Sequence, residues 1–105
     1  MTAKDFILAL PEKVNASAIE GMNTVFHFDV EGDGGGQYTV QLVDGAMTAT
    51  EGLEGTASCS VKTKADTFIA LVTGKQNPMT AFMMGKIKAS NPGELLKYSK
   101  IFGLM

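Results

Sequence analysis

The 105-residue chain has one cysteine, Cys59, and one histidine, His27. A lone cysteine excludes an internal disulfide framework, and with a single histidine beside it no metal cluster is expected. A basic surplus is missing too: nine lysines and arginines stand against eleven aspartates and glutamates, a net charge of −2. Nucleic-acid binders take most of their affinity from phosphate contacts and carry a basic stripe for them, so no nucleic-acid partner is expected. The apolar runs fall short of the roughly 18 residues of a membrane span. Met1 to Phe6 show no basic segment leading into a long apolar stretch, so no secretory signal is read. Phe102-Gly-Leu-Met105 is not a peroxisomal address of the Ser-Lys-Leu type, which leaves the cytoplasm as the expected location. What the chain does have is 45% apolar residues, enough for the core of one compact domain over residues 1–105.

The first apolar pattern is helical. Thr2 is placed as a cap, Asp5 sits at the third helical position, and Phe6, Ile7 and Leu10 share a face, so a helix is predicted over 2–10, closed by Pro11. Asn15 to Gly21 has room for one more helical turn. From Thr24 to Thr63 the period changes to two. Phe26, Phe28 and Val30 alternate with His27, Asp29 and Glu31. After the glycine turn at 32–36, Tyr38, Val40 and Leu42 alternate with Thr39 and Gln41. Asp44-Gly45 is a two-residue hairpin signal, leading to Met47 and Ala49 alternating with Thr48 and Thr50. A glycine-punctuated loop precedes a fourth strand with Ala57, Cys59 and Val61 on its apolar phase. Strands with one greasy and one wet face predict a sheet covered by helices on one side.

The covering helices follow. Thr63-Lys-Ala-Asp66 has capping-box spacing, Phe68, Ile69, Leu71 and Val72 form the apolar stretch, and Gly74 ends it. Asn77-Pro78 starts a second helix, with Met79, Phe82 and Met83 at the spacing of one helical face. Gly85 stops it. Lys86 to Ser90 reads as a short fifth strand at an edge, given its lysines. Asn91-Pro92 starts the last helix, made apolar by Leu95, Leu96, Tyr98, Ile101 and Phe102.

Catalytic constellations are scarce. His27 lies on a wet strand phase, so a structural histidine is favoured over a catalytic base. Cys59 lies on an apolar phase with no basic partner beside it, which favours an inert buried thiol over a nucleophile. The glycines at 32–36 lead into a strand and offer no helix N-terminus to an anion. Gly-x-Gly-x-x-Gly would need glycine at Gln37, and Gly74-Lys75 and Gly85-Lys86 have Ile69 and Thr80 where a phosphate loop needs its first glycine. No catalytic residue, metal or cofactor is therefore expected.

The final forty or so residues are dense in apolar side chains, among them four methionines and Leu104. Either these helices fill an ordinary core, or they stand off the sheet and line a cavity for an apolar ligand. Methionine, flexible and adaptable, suits the second reading. A protein-interaction or dimerisation module with a filled core is the alternative function.

The segment Asp66-Thr-Phe68-Ile-Ala-Leu71-Val-Thr-Gly74-Lys75-Gln-Asn77-Pro78-Met-Thr-Ala81-Phe82-Met-Met-Gly85-Lys86-Ile-Lys88 resembles the signature of the sterol carrier protein 2 family. The likeness extends back through Val25 to Phe28, the glycine turn, the strand before Asp44-Gly45 and the fourth strand. The resemblance implies an α+β fold, a mixed, twisted five-stranded sheet with short helices on one face and an apolar cavity between. It implies a non-catalytic carrier for fatty acid, fatty acyl-CoA, phospholipid or sterol, with transient membrane contact. Carried over, the candidate tunnel walls are Phe68, Leu71 and Val72, then Met79, Phe82 and Met83, then Leu95, Leu96 and Phe102. Phe26, Phe28, Val40 and Leu42 would form the sheet-side floor, and Lys75, Lys86 and Lys88 are candidate contacts for a lipid carboxylate or phosphate. The chain shows neither the longer N-terminal helical part nor the C-terminal extension of eukaryotic members and resembles the compact bacterial ones. One tunnel mouth is either plugged by Leu104 and Met105 or open, and straight acyl chains are expected ahead of sterols.

Overall fold

A computed structural model describes residues 2–102; Leu104 and Met105, one of the two alternatives for the tunnel mouth, lie outside the described residues. Helix α1 (Ala3–Lys13) and a short 3-10 turn (Ala16–Ala18) precede strands β1 (Thr24–Glu31), β2 (Gly36–Val43), β3 (Ala46–Glu51) and β4 (Cys59–Lys64). Helices α2 (Ala65–Val72) and α3 (Pro78–Met83), strand β5 (Ile87–Ala89) and helix α4 (Pro92–Tyr98) complete the chain. The strands form one mixed sheet in the order β3-β2-β1-β4-β5. β1 and β4 run parallel and the other neighbours antiparallel.

Local chemistry explains the meander. Asp44 and Gly45 both take positive φ, 50° and 80°, as a type I′ turn requires between β2 and β3. A parallel pairing needs a crossover, and residues 52–58 supply it by running from β3 across the wet face of the sheet to β4. Two polar side chains that face each other on β1 and β2, His27 and Thr39, hold it there. The Thr39 hydroxyl donates to the Gly52 carbonyl (2.7 Å) and accepts the Glu54 N–H (2.9 Å), and His27 Nε2–H donates to the Glu54 carbonyl (2.8 Å).

Strand register puts the apolar phases of neighbouring strands on one face. Phe26 lies opposite Val40 and Cys59, and Phe28 opposite Tyr38 and Val61; all six are buried. Above them sits a cluster of rings. Phe102 stands 4.7 Å from Phe26 and 5.4 Å from Phe28 between centroids, Tyr98 stands 5.7 Å from Phe26, and Phe68 meets Phe6 at 5.6 Å, all in edge-to-face or steeply tilted pairs. Such pairs add about 0.5–1.5 kcal/mol each to the gain from burial. The cluster ties α1, α2 and the C-terminal turn to β1.

Three local expectations are corrected. α1 continues through Pro11 to Lys13: the proline sits in the last turn, where it forgoes one N–H, and the Val14 N–H still closes the helix on the Leu10 carbonyl (3.0 Å). Thr63 does not cap α2. It belongs to β4, its hydroxyl donates to the Lys86 carbonyl (2.8 Å) to hold β5, and the N-cap position is Lys64 with no side-chain cap. Thr39, on a phase expected to be wet, is 1% exposed because the crossover lies on it.

Candidate functional site

α3 is built from strictly local signals. The Asn77 side-chain carbonyl accepts the N–H groups of Met79 (2.8 Å) and Thr80 (3.2 Å), and Pro78 occupies the first helical position. At the other end Gly85, with φ of 76°, lets the Lys86 N–H reach the Ala81 carbonyl (2.8 Å) and its own N–H the Phe82 carbonyl (3.1 Å), a Schellman closure that asks for glycine. Gly74 and Lys75 close α2 the same way, on Leu71 (3.2 Å) and Ala70 (2.8 Å). α3 is thus a self-contained turn and a half between two glycine joints. It packs on β5, and of its six residues only Ala81 is buried.

α4 is fixed more firmly. The Asn91 side-chain carbonyl accepts the Glu94 N–H (3.3 Å), and the Glu94 carboxylate accepts the Thr24 hydroxyl (3.0 Å), fastening α4 to the start of β1. Leu95 and Tyr98 turn into the core.

Between α3, β5 and α4 lies an apolar cleft of about 100 Å³. Met79 and Phe82 wall it on the α3 side, Leu95 and Leu96 on the α4 side, Ile87 forms its floor, and Pro78, Pro92 and Ser99 complete it. The one hydroxyl among them is turned away, since Ser99 Oγ donates to the Leu96 carbonyl (2.8 Å). A wider open groove of about 480 Å³ runs beside β4 and β5, but it is lined by Glu31, Lys62, Lys64, Asp66, Lys86 and Lys88. Those charged walls are no solvent for an alkyl chain.

The sequence-predicted residues divide between two environments. Phe26, Phe28, Val40, Leu42, Phe68, Leu71 and Phe102 belong to the buried core, and Val72 packs half-buried against it. Met79, Phe82, Leu95 and Leu96 come together in the cleft. Met83 is 82% exposed and turns outward. The space over β1 that a sheet-to-helix tunnel would use is occupied by the protein's own rings, so the hollow narrows to the cleft at the β5 edge. Ile87, Pro78, Pro92 and Ser99 were not foreseen as its walls. The usable signal was Ile87, a lone apolar residue between Lys86 and Lys88 and therefore on the inward face of β5.

The two candidate catalytic side chains have structural work. His27 holds the crossover. Cys59 is fully buried, its thiol donates to the Asn91 carbonyl at 3.5 Å, and burial pushes the thiol above its ordinary range despite that hydrogen bond. A neutral buried thiol is a poor nucleophile. Among the described residues no group of three or more histidines, cysteines and carboxylates is placed to hold a metal ion.

With this geometry in hand, the likenesses to known proteins are specific. Residues 5–102 match the model of the SCP-2 sterol transfer family. The chain is 31% identical over 99 residues to hydroxysteroid dehydrogenase-like protein 2 of Xenopus tropicalis, covering 92% of this chain and 24% of that protein. It is 35% identical over 88 residues to sterol carrier protein 2 of Gallus gallus, covering 79% of this chain and 16% of that protein. The chain therefore spans a quarter or less of the curated relatives it matches. The solution structure of palmitated SCP2L2 from Aedes aegypti shares the fold at a TM-score of 0.77 and 18% identity, over 97% of this chain and 95% of that one.

Proposed function

The chain belongs to the SCP-2 sterol transfer family, and on that premise we propose that it is a non-catalytic lipid carrier whose ligand lays its acyl chain between α3 and α4. The observation that carries the reading is the cleft, apolar on every wall and roofed by a helix that buries one alanine. At about 100 Å³ it is smaller than the roughly 300 Å³ at which small-molecule sites begin. Loading therefore requires α3 to swing outward on its joints at Gly74 and Gly85. That motion exposes little that is not already exposed, since Met79 and Phe82 are 46% and 37% accessible in the closed form. α4, tied to β1 and the ring cluster, stays in place as the fixed wall.

The energetics suit a carrier. An acyl chain of about 14 methylenes gains about 11 kcal/mol on leaving water. Ordering the chain and losing its overall freedom subtract several kcal/mol, and opening α3 subtracts a little more. The remainder corresponds to a roughly micromolar dissociation constant, tight enough to hold and loose enough to release. A straight chain fits a slot opened by one short helix better than a rigid sterol does. The palmitated Aedes aegypti protein of the same fold supports fatty acids as the first ligands to test. The dehydrogenase-like relative extends far beyond the matched region, and here His27 and Cys59 are committed to structure.

The test is native mass spectrometry of delipidated protein with palmitate, alongside displacement of a fluorescent fatty acid. One palmitate per chain is expected, and Phe82→Asp abolishes it while circular dichroism stays that of the parent. No adduct together with no displacement overturns the carrier reading.

A further inference from the structure

Among the described residues, the sulfur that solvent reaches is gathered on one short helix. Of the chain's seven methionines, Met79, Met83 and Met84 lie on α3 or at its C-cap and are 46%, 82% and 62% accessible. Met22 and Met47 pack half-buried against the core, and Cys59 is fully buried. The three methionines of α3 differ in their surroundings. Met83 turns outward, and neither it nor Met84 walls the cleft. Met79 does, and it also borders the open depression it shares with Lys75, Gln76 and Asn77. It therefore stands between the ligand's place and water. Oxidation turns a flexible apolar thioether into a polar sulfoxide, and the cleft has no donor to offer that oxygen. The Ser99 hydroxyl donates to the Leu96 carbonyl and the Met79 N–H to the Asn77 side chain. The other walls are two prolines and the hydrocarbon of Phe82, Ile87, Leu95 and Leu96.

We propose that Met79 is a peroxide-sensitive modification site that switches the cleft off. Oxidised, its side chain either leaves the wall for water or sets an unpaired polar oxygen against the acyl chain, and both arrangements weaken binding. The step is a two-electron oxygen transfer. The Met79 sulfur attacks one oxygen of hydrogen peroxide, and an S–O bond forms as the O–O bond breaks. The departing hydroxide takes the proton from the transferred oxygen and leaves as water, so sulfur is oxidised and peroxide reduced. A sulfoxide reductase reverses the change: the oxygen leaves as water while a dithiol becomes a disulfide. Binding and oxidation oppose each other in both directions. A chain lying in the cleft covers Met79, whereas Met83 and Met84 stay in water and consume oxidant without altering the walls. Peroxide thus acts on the empty carrier, and a loaded one keeps its cargo. The proposal rests on the carrier reading and adds to it a means of control.

The test is a hydrogen peroxide dose series on the delipidated full chain. Peptide mass spectrometry follows every methionine, and fluorescent fatty-acid displacement is read on the same samples. Affinity is expected to fall by about tenfold or more in step with the Met79 sulfoxide fraction, while circular dichroism stays that of the untreated chain. It returns after treatment with methionine sulfoxide reductases for both epimers and dithiothreitol. Palmitate slows the oxidation of Met79 and leaves that of Met83 unchanged. Each variant is compared with its own untreated affinity: Met83→Leu/Met84→Leu still loses it to peroxide, and Met79→Leu, which keeps an apolar wall of similar volume, does not. Unchanged affinity at full Met79 oxidation overturns the proposal. So does a loss that follows Met83 or Met84 instead, or Met79 oxidation that palmitate does not slow. Any of these in a chain that binds fatty acid before treatment sinks the switch alone. An untreated chain that binds no fatty acid sinks the carrier reading, and the switch with it.

Discussion

Phe26 was a candidate for the tunnel's sheet-side floor and Phe82 for its helical wall; Phe26 lies in the buried core and Phe82 lines the cleft. Phe26 is 0% exposed and touches the rings of Phe28, Tyr98 and Phe102. Truncating such a residue to alanine removes its transfer free energy and leaves a cavity, about 3–5 kcal/mol in all. Against a total stability of roughly 5–15 kcal/mol, Phe26→Ala should leave the domain marginal and lower its Tm by roughly 15–30 °C. Phe82 is 37% exposed and stands over the cleft. Phe82→Ala should cost about 1–2 kcal/mol of stability and weaken fatty-acid affinity by roughly 5–30-fold through the lost wall. Urea and thermal unfolding followed by circular dichroism, with fluorescent fatty-acid displacement on the same samples, separates the two. The division of core from site is refuted if Phe26→Ala loses affinity at a stability cost below about 1 kcal/mol while Phe82→Ala binds like the parent.

Two further outcomes follow from the same contacts. Burial raises the Cys59 thiol above its ordinary 9.0, so the native state keeps a proton that the unfolded chain releases. Its contribution to stability is complete below the unfolded thiol's pKa and is lost as pH rises through the higher native value. The urea midpoint should therefore fall on the alkaline side; Cys59→Ala should flatten part of that slope, the rest belonging to Tyr38, which desolvation raises, and to Lys4 and Lys62, which hydrogen bonds to Glu51 and Glu31 raise. Asn77→Ala removes the acceptor for two N–H groups at the start of α3 and should cost about 1 kcal/mol. Hydrogen exchange should then quicken in α3 and stay unchanged in β1; equal quickening in both would show that α3 does not move on its own.

The order of elements was legible because its signals are local. Phe26, Phe28 and Val30 alternate with polar residues as a half-buried strand must, and Asn77-Pro78 and Asn91-Pro92 carry their caps within three residues. Where a distant segment decides the outcome, local reading fell short. Thr63 has cap spacing, yet the Lys86 carbonyl of β5 takes its hydroxyl. Thr39 and His27 sit on a wet phase, yet the crossover they hold comes from residues 52–54. The site was half legible for the same reason. Leu71 and Leu96 look alike in sequence, and only the ring cluster anchored on Phe26 and Phe28 decides that Leu71 fills core while Leu96 faces the cleft.

The central claim is that the ligand's chain lies between α3 and α4 while the ring cluster over β1 stays closed. A titration of the isotope-labelled chain with a saturated fatty acid, read through its methyl resonances, tests this directly. Saturable shifts are expected at Met79, Ile87, Leu95 and Leu96, with Val40 and Leu42 unmoved. Saturable shifts at Val40 and Leu42 with Met79 and Leu96 silent, or no saturable shift anywhere, would contradict it.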